Sequence, residues 1–409
     1  MAFPSVQTLR ELQKTLNSTI DSYVRAVEAN DIKQSIGIST RAYAAARDVT
    51  DAFCDPGMAV LGAGLEPIMN LALRIAIDLD LFILINESVS LAELVKQTKA
   101  EDTLLHRILR VLVGTGWMAE PEIKTYSLTK RGEFLKLAPW RDWIKTSFDS
   151  LAPVWLEIPE WLRKNGYRDI IDLKNNPSMS MYGVNWFDNL AKYPSREADF
   201  ASSMKLKDEF PQNALPQFPY ASAIENFEYE LQQGGSDVFL VDVGGGRGQY
   251  LNQLLEHSDL PENARFVLQD LSTVVSSVIR SAVKFEPMSH DFFSPQPIKG
   301  AKYYHLRAIL HNWPDDGCYH ILSLLKDALK AGYSRLLINA YILPELQVPA
   351  IPSMIDVNMW LYCGKERTEN EWHALLRRAG LKVLRIVRAE VGLHGIIEAA
   401  LVDEINFGT

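Results

Sequence analysis

Residues 237–257 read DVFLVDVGGGRGQYLNQLLEH, a run of apolar, β-favouring residues that meets four glycines within five positions and then a stretch with helical spacing. A strand that turns into a helix through glycines is the building unit of an open parallel sheet. Glycine alone takes left-handed backbone at little cost and lets a ligand approach the main chain closely. The helix that follows presents unpaired N–H groups at the carboxyl edge of the strand, where ligands bind in such sheets. Further apolar runs at 264–270 (ARFVLQD), 302–310 (KYYHLRAIL) and 334–343 (SRLLINAYIL) predict three more strands, with helical stretches between the first two and between the last two. The final stretch, LKVLRIVRAEVGLHGIIEAALVDE, reads as two strands around a turn near Gly392, a closing antiparallel hairpin.

The glycine loop alone suits several nucleotide sites; the acids around it narrow the choice. Asp242 precedes the loop, and Asp270 ends the second strand, where a carboxylate can accept both hydroxyls of a ribose. Asp291, in SHDFF, stands before Phe292 and Phe293, which can flank an adenine ring. No Lys-Ser/Thr pair follows the loop, so the phosphate-cradling P-loop reading fails. Acidic surroundings suit a sulfonium nucleoside better than a pyrophosphate.

The first half is of another kind. Residues 1 to about 225 are expected to be mostly helical, with heptad-like spacing at Leu9, Leu12, Leu16, Ile20 and Tyr23. The longest apolar run, Ile68 to Ile85, carries Asn70, Arg74, Asp78 and Asp80 and is read as a buried helix rather than a membrane span. Two helices at 90–98 and 102–117, then a hairpin at 118–135, have the order of a winged helix. Its recognition position, Leu104 to Val113, offers only Arg107 and Arg110, and the chain carries a net charge of -9. A packing or dimerisation module is therefore expected, not a nucleic-acid reader. A polar stretch, QQGGSD at 232–237, marks the change of pattern, giving an expected division into 1–225 and 226–409.

Length supports two domains, since 409 residues exceed what one core serves. The three cysteines, Cys54, Cys318 and Cys363, are far apart and form no CxxC pair, which argues against a disulfide framework or a zinc site. The start, MAFPSVQTLRELQK, has no basic segment followed by an apolar one, so a cytoplasmic location is expected.

After the third sheet strand the chain reads Arg307-Ala-Ile-Leu-His311-Asn312-Trp313-Pro314-Asp315-Asp316, and later Gly364-Lys365-Glu366-Arg367-Thr368. With VDVGGGRG, LQDL, HDFFSPQP, ILPE and GKERTENEW, these segments make nearly the whole chain resemble the plant and fungal small-molecule O-methyltransferases, which include caffeate, flavonoid and fungal polyketide methyltransferases. The resemblance implies an α/β, Rossmann-like methyltransferase domain: a mostly parallel seven-stranded sheet closed by a C-terminal antiparallel hairpin. A mainly helical domain containing a winged helix would precede it. The same likeness implies S-adenosyl-L-methionine as cofactor, a small-molecule substrate, and a homodimer whose helical domain contributes to the partner's substrate pocket, with no nucleic acid and no membrane.

Carried over by position, the resemblance places Gly244 and Gly246 at the methionine part of the cofactor, Asp270 at the ribose and Asp291 at the adenine. Asp242, Leu271, Phe292 and Arg307 join that cofactor set. His311 would be the general base and Glu366 one of two acids that orient it. Phe200 and Met204, four residues apart, would line the acceptor pocket, although helix packing explains such a pair equally well. Trp186, Met354, Val357, Asn358 and Leu361 complete the expected acceptor set. No metal is implied: Asp315 and Asp316 read as a helix N-cap.

The pattern is broken in one place. Ala340 stands in NAYILPE where the second orienting acid is expected, and Asn312 replaces the usual Asp after the histidine. Methyl transfer to a hydroxyl of an aromatic or polyketide-type acceptor is the first reading, because His311 and Glu366 are both present. The alternative is a pericyclase or dehydratase on the same fold that binds the cofactor without moving a methyl group; a non-catalytic DNA-binding or scaffold protein is the third.

Overall fold

The computed structural model describes residues 4–206, 218–257, 260, 263–389 and 392–402. Glu390 and Val391 of the expected terminal turn, and Asp403 and Glu404 of its second strand, lie outside the described residues. The chain divides into two compact units, Met1–Leu156 with Phe187–Gln212, and Glu157–Trp186 with Asn213–Thr409. The segment Glu157–Trp186 thus belongs to the second unit although it precedes the change of composition near residue 225.

The first unit is helical apart from a small three-stranded sheet. Its strands are β1 (Val89–Ser90), β2 (Met118–Glu122) and β3 (Thr125–Leu128), in the order β1-β3-β2. Helices Leu91–Thr98 and Asp102–Gly114 pack on this wing. Leu105, Leu109 and Leu112, spaced three and four apart, are fully buried with Leu91, Leu94, Met118 and Tyr126. The buried face of the helix in the recognition position explains its apolar composition.

The run Ile68–Ile85 is not one buried helix as expected. Helix Pro56–Asp78 ends there, Asp80 takes left-handed backbone at φ 51°, and a short helix Leu81–Leu84 follows. Only the carboxyl part of the long helix is enclosed, through Ala72, Leu73, Ala76 and Ile77; Met58, Val60, Leu61, Leu65 and Ile68 are exposed. By length and composition alone this helix could cross a membrane.

The second unit is a sheet covered on both faces. Its strands are β4 (Val238–Val243), β5 (Arg265–Asp270), β6 (Glu286–Ser289), β7 (Tyr303–Arg307), β8 (Arg335–Leu343), β9 (Arg367–Thr368), β10 (Leu381–Arg388) and β11 (His394–Leu401). The order is β10-β11-β8-β7-β4-β5-β6, with β9 added beside β8. Pairings from β6 to β8 are parallel, whereas β8, β11 and β10 pair antiparallel, forming the closing hairpin. The strands β6 and β9 were not visible in the sequence. The third expected strand stops at Arg307 rather than Leu310, because Ala308 enters left-handed backbone at φ 53° and hands the chain to a 3-10 turn, Leu310–Asn312.

One sheet face, with Val241, Val243, Tyr304, Leu306, Ile338 and Ile342, packs on helices Asp315–Lys326 and Glu369–Arg378. The other, with Phe239, Tyr303, Leu337 and Ile396, packs on helices Ala221–Gln232 and Gln249–His257. Trp372 is wholly buried in the first layer, and its indole N–H donates to the Tyr341 carbonyl at 3.1 Å. Trp372→Ala is expected to cost about 3–5 kcal/mol by leaving a cavity. Trp372→Phe, which loses the hydrogen bond and less volume, should cost less than half as much. Urea unfolding followed by circular dichroism measures both; equal losses would show that packing around the indole is not what the site contributes.

Candidate active site

The parallel pairing of β4 with β7 sets Asp242 opposite His305. Both side chains are buried, and His305 Nδ1 lies 2.9 Å from Asp242 Oδ1. Tyr250, from the helix after the glycine loop, stacks on the His305 ring at 4.0 Å, and its hydroxyl meets that of Tyr220 at 2.8 Å. This buried polar pair lies beneath the loop and was not anticipated. Its only sequence trace is an acid and a histidine on strands that themselves had to be paired first.

Above it, each loop glycine answers a different demand. Gly244, Gly246 and Gly248 all have positive φ. A Cβ on Gly245 would lie 2.3 Å from Asp242 Oδ2, one on Gly248 2.3 Å from Phe285, and one on Gly244 2.6 Å from Ile309. At Gly246 such a Cβ would meet only Gln249 Oε1, at 3.4 Å. The loop is therefore closed toward the protein and open at Gly246, a cradle for a ligand that touches main chain.

Asp270 closes one side of that cradle. Its Oδ2 accepts from Gly246 N–H and its Oδ1 from Leu271 N–H, both at 2.8 Å, which leaves each oxygen capacity for another donor. Burial pushes the Asp270 carboxyl up, an effect that the two N–H groups offset in part. Phe292 lies beside Gly244, 3.5 Å from where its Cβ would be. Phe293 packs edge-on against Trp313 at 4.6 Å, and Phe292 meets Trp313 at 6.2 Å and Phe293 at 5.2 Å, so the two aromatics of SHDFF form one cluster. Asp291 is exposed and accepts from Phe293 N–H at 3.0 Å. A reciprocal amide pair, Gln269 with Gln296, ties the loop after β6 to β5 through two bonds of 2.8 Å. Asp242 Oδ2 is buried without a hydrogen-bond partner among the described residues, and Leu271 is half exposed. Ribose hydroxyls, a purine face and a short polar chain fit these residues.

His311 sits in the turn after β7, at the same carboxyl edge. Its Nδ1 is 2.7 Å from Glu366 Oε1, and the Glu366 side chain is wholly buried. A carboxylate there assigns the ring proton to Nδ1 and leaves Nε2 as the basic nitrogen, which makes no hydrogen bond among the described residues. Asp356 accepts from Glu366 N–H at 2.8 Å and so fixes the main chain of that acid; burial raises the Asp356 carboxyl. Asp356 was missed because its partner is a backbone group, which no motif reveals. Ala340 faces the apolar layer with Ile338 and Ile342.

Asp315 and Asp316 are not the N-cap expected of them. Pro314 occupies that position, while Asp315 pairs with Arg367 and Asp316 with Arg378, in the first turn of the helix. Met354 and Val357 are exposed on helix Ala350–Asn358, which also carries Asn358. Leu361 and Trp186 are buried, Trp186 edge-on to Tyr362 at 5.3 Å. Phe200 and Met204 belong to the first unit, where Phe200 meets Phe187 at 6.1 Å and Met204 N–H bonds the Phe200 carbonyl. Among the described residues no three His, Cys, Asp or Glu side chains gather as a metal site.

Comparison with known proteins shows the family of the chain. The O-methyltransferase domain family matches residues 169–382, and the O-methyltransferase dimerisation domain family matches residues 67–136. An O-methyltransferase of Annulohypoxylon moriforme, mfmE, is 31% identical over 82% of this chain and 84% of its own length. Demethylsterigmatocystin 6-O-methyltransferase of Aspergillus flavus is 30% identical, over 78% of this chain and 82% of its own. Among solved structures, one titled a pericyclic reaction enzyme has a TM-score of 0.81 at 25% identity, covering 95% of this chain and all of that one. The fold of OxaC, solved with S-adenosylhomocysteine and oxaline, has a TM-score of 0.80 at 24% identity, covering 96% of this chain and all of OxaC. The chain belongs to the S-adenosylmethionine-dependent O-methyltransferase family of fungal secondary metabolism.

Proposed function

We propose that this chain binds S-adenosylmethionine at the glycine loop and methylates a hydroxyl of a small aromatic or polyketide-type acceptor, with His311 as general base. The observation that carries the reading is the buried Glu366 carboxylate on His311 Nδ1. When bound, the cofactor supplies an electrophilic methyl group on a sulfonium. Asp270 would hold the ribose hydroxyls, Phe292 and Asp291 the adenine, and the open main chain at Gly246 the methionine portion, with Asp242 and Arg307 nearby in the sheet. His311 Nε2 would take the proton of the acceptor hydroxyl and Glu366 would stabilise the imidazolium that results, the cofactor's methyl going to the acceptor oxygen and the carbon–sulfur electron pair to its sulfur, which would leave as a neutral thioether. Met354 and Val357, exposed on one face of their helix with the half-buried Asn358 beside them, support an acceptor of apolar, extended character. The dimerisation domain and the exposed apolar row from Met58 to Ile68 support a homodimer.

A second reading is favoured by one observation: Ala340 contributes no carboxylate and packs into an apolar layer, and a pericyclic enzyme shares the fold. Here the cofactor would be retained and no methyl moved. Incubation with S-adenosylmethionine and a panel of phenolic and enolic polyketides separates the two. Methyl transfer predicts S-adenosylhomocysteine in step with a methylated product; substrate consumption without it would support the second reading and sink the first.

Two variants probe the parts. His311→Ala should lower methyl transfer by about 10²- to 10⁴-fold. Its affinity for S-adenosylhomocysteine, measured by calorimetry, should stay within about twofold of the parent. Retained turnover would remove His311 from the mechanism. Asp270→Asn should weaken cofactor binding by about 10- to 100-fold through loss of charge-assisted hydrogen bonds. Its stability effect runs the other way. Because burial raises the Asp270 carboxyl above its ordinary value of 3.8, the folded chain favours the neutral form, and ionisation subtracts stability as pH rises through the raised value. Without cofactor, the melting temperature of Asp270→Asn relative to the parent should therefore increase from about pH 4 to pH 7.5. A difference independent of pH would show that Asp270 titrates alike in the folded and unfolded chain.

A further inference from the structure

We propose that Arg367 is a positioning residue for the His311–Glu366 pair, holding both members through main-chain carbonyls; the inference rests on His311 being the base. Arg367 follows Glu366 directly and is wholly buried. One of its terminal nitrogens, Nη1, donates to the Leu310 carbonyl at 3.2 Å and to the Lys365 carbonyl at 3.3 Å. The other, Nη2, donates to the Trp313 carbonyl at 3.1 Å and to Asp315 Oδ1 at 2.7 Å, and Nε–H reaches the same Asp315 oxygen at 3.1 Å. Leu310 and Trp313 bracket the turn that carries His311, and Lys365 immediately precedes Glu366. A single planar group thus binds the chain on both sides of the base and the chain entering its carboxylate.

Three further observations support this role. A Cβ on Gly364 would lie 1.9 Å from the His311 carbonyl oxygen, so the segment bearing Glu366 and Arg367 runs in direct contact with the main chain of the base. The Cys318 thiol also donates to the Leu310 carbonyl, at 3.0 Å, and burial pushes that thiol up to about 11, so it stays neutral and adds no charge beside the guanidinium. Asp315 anchors the cation: burial pushes its carboxyl up, and Arg367 with Lys365 pulls it back below the ordinary range. Lysine cannot replace this arrangement, because an ammonium has no planar fork to span carbonyls on two chain segments.

The decisive comparison is Arg367→Lys against the parent, in the intact protein, with three readouts. The kcat for methyl transfer should fall by about 10²-fold, as for a base displaced by roughly 1 Å, with the KM for S-adenosylmethionine little changed. The proton on His311 Nδ1, recognised by its absence from His311→Ala, should lose its downfield hydrogen-bonded resonance in the variant. Melting monitored in parallel tells a positioning role from a structural one, since a purely structural arginine would lower the melting temperature and leave both the resonance and the kcat of the folded protein intact. That second pattern overturns the proposal and leaves the base assignment standing. If His311→Ala instead retains turnover, the base assignment fails, and the resonance alone then decides whether Arg367 positions the pair. Should Arg367→Lys not fold, Asp315→Asn tests the same anchor from its more exposed side. A fall in kcat of about 3- to 10-fold with a broadened Nδ1 resonance supports the clamp, and an unchanged resonance with unchanged kcat overturns it.

Discussion

Asp242 and His305 face each other because β4 and β7 are parallel neighbours, and almost everything at the site follows from that adjacency. Parallel strands carry their ends to the same edge, so the glycine loop that leaves β4 and the turn that leaves β7 open side by side. Two residues beyond His305, Arg307 ends β7; Ala308 then turns the chain through left-handed backbone, and His311 follows within a single 3-10 turn. An antiparallel pairing of the same two strands would send those ends to opposite edges of the sheet.

The second constraint is electrostatic. Glu366 and Arg367 are adjacent, oppositely charged and wholly buried, a costly arrangement unless each finds its own partner. They do so on opposite sides: Glu366 meets His311 and the guanidinium meets Asp315. The strand that begins at Arg367, directly after Glu366, is only two residues long and is held beside β8, with Thr368 capping the helix that follows. Charges, cap and close glycine contact leave that segment little freedom, so the His311 ring and the Glu366 carboxyl keep one relative geometry. Asp270 shows the opposite compromise. Burial raises its carboxyl, so ionising it takes stability from the folded state.

Much of the site was legible because its residues act through local chemistry. The loop glycines, Asp270, His311 and Glu366 each occupy a motif, and the structure joins the last two at 2.7 Å across 55 positions of sequence. Phe292 and Phe293 stay together, 5.2 Å apart, and both meet Trp313 edge-on, at 6.2 and 4.6 Å, while Phe292 also lies by Gly244. The supposed cap at Asp315 and Asp316 misled because both carboxylates find arginines, a tertiary event with no local signature. The run Ile68–Ile85 reads as one buried helix from composition, whereas Asp80 breaks it and Ile68 and Leu71 stay exposed: apolarity alone does not record where a helix turns or which of its faces is enclosed.

The amino-acid sequence by itself determined the parallel sheet, the closing hairpin, the winged helix and the glycine loop with Asp270 beside it, because each rests on periodicity, on glycine's backbone freedom or on residues a few positions apart. Tertiary structure alone decided which polar groups meet: Asp242 with His305, Asp356 with the Glu366 main chain, and Arg367 with the carbonyls on either side of His311. Such contacts join segments through the register of strands and through main-chain acceptors. Every residue carries the same carbonyl, so no side-chain pattern can announce which one will be used.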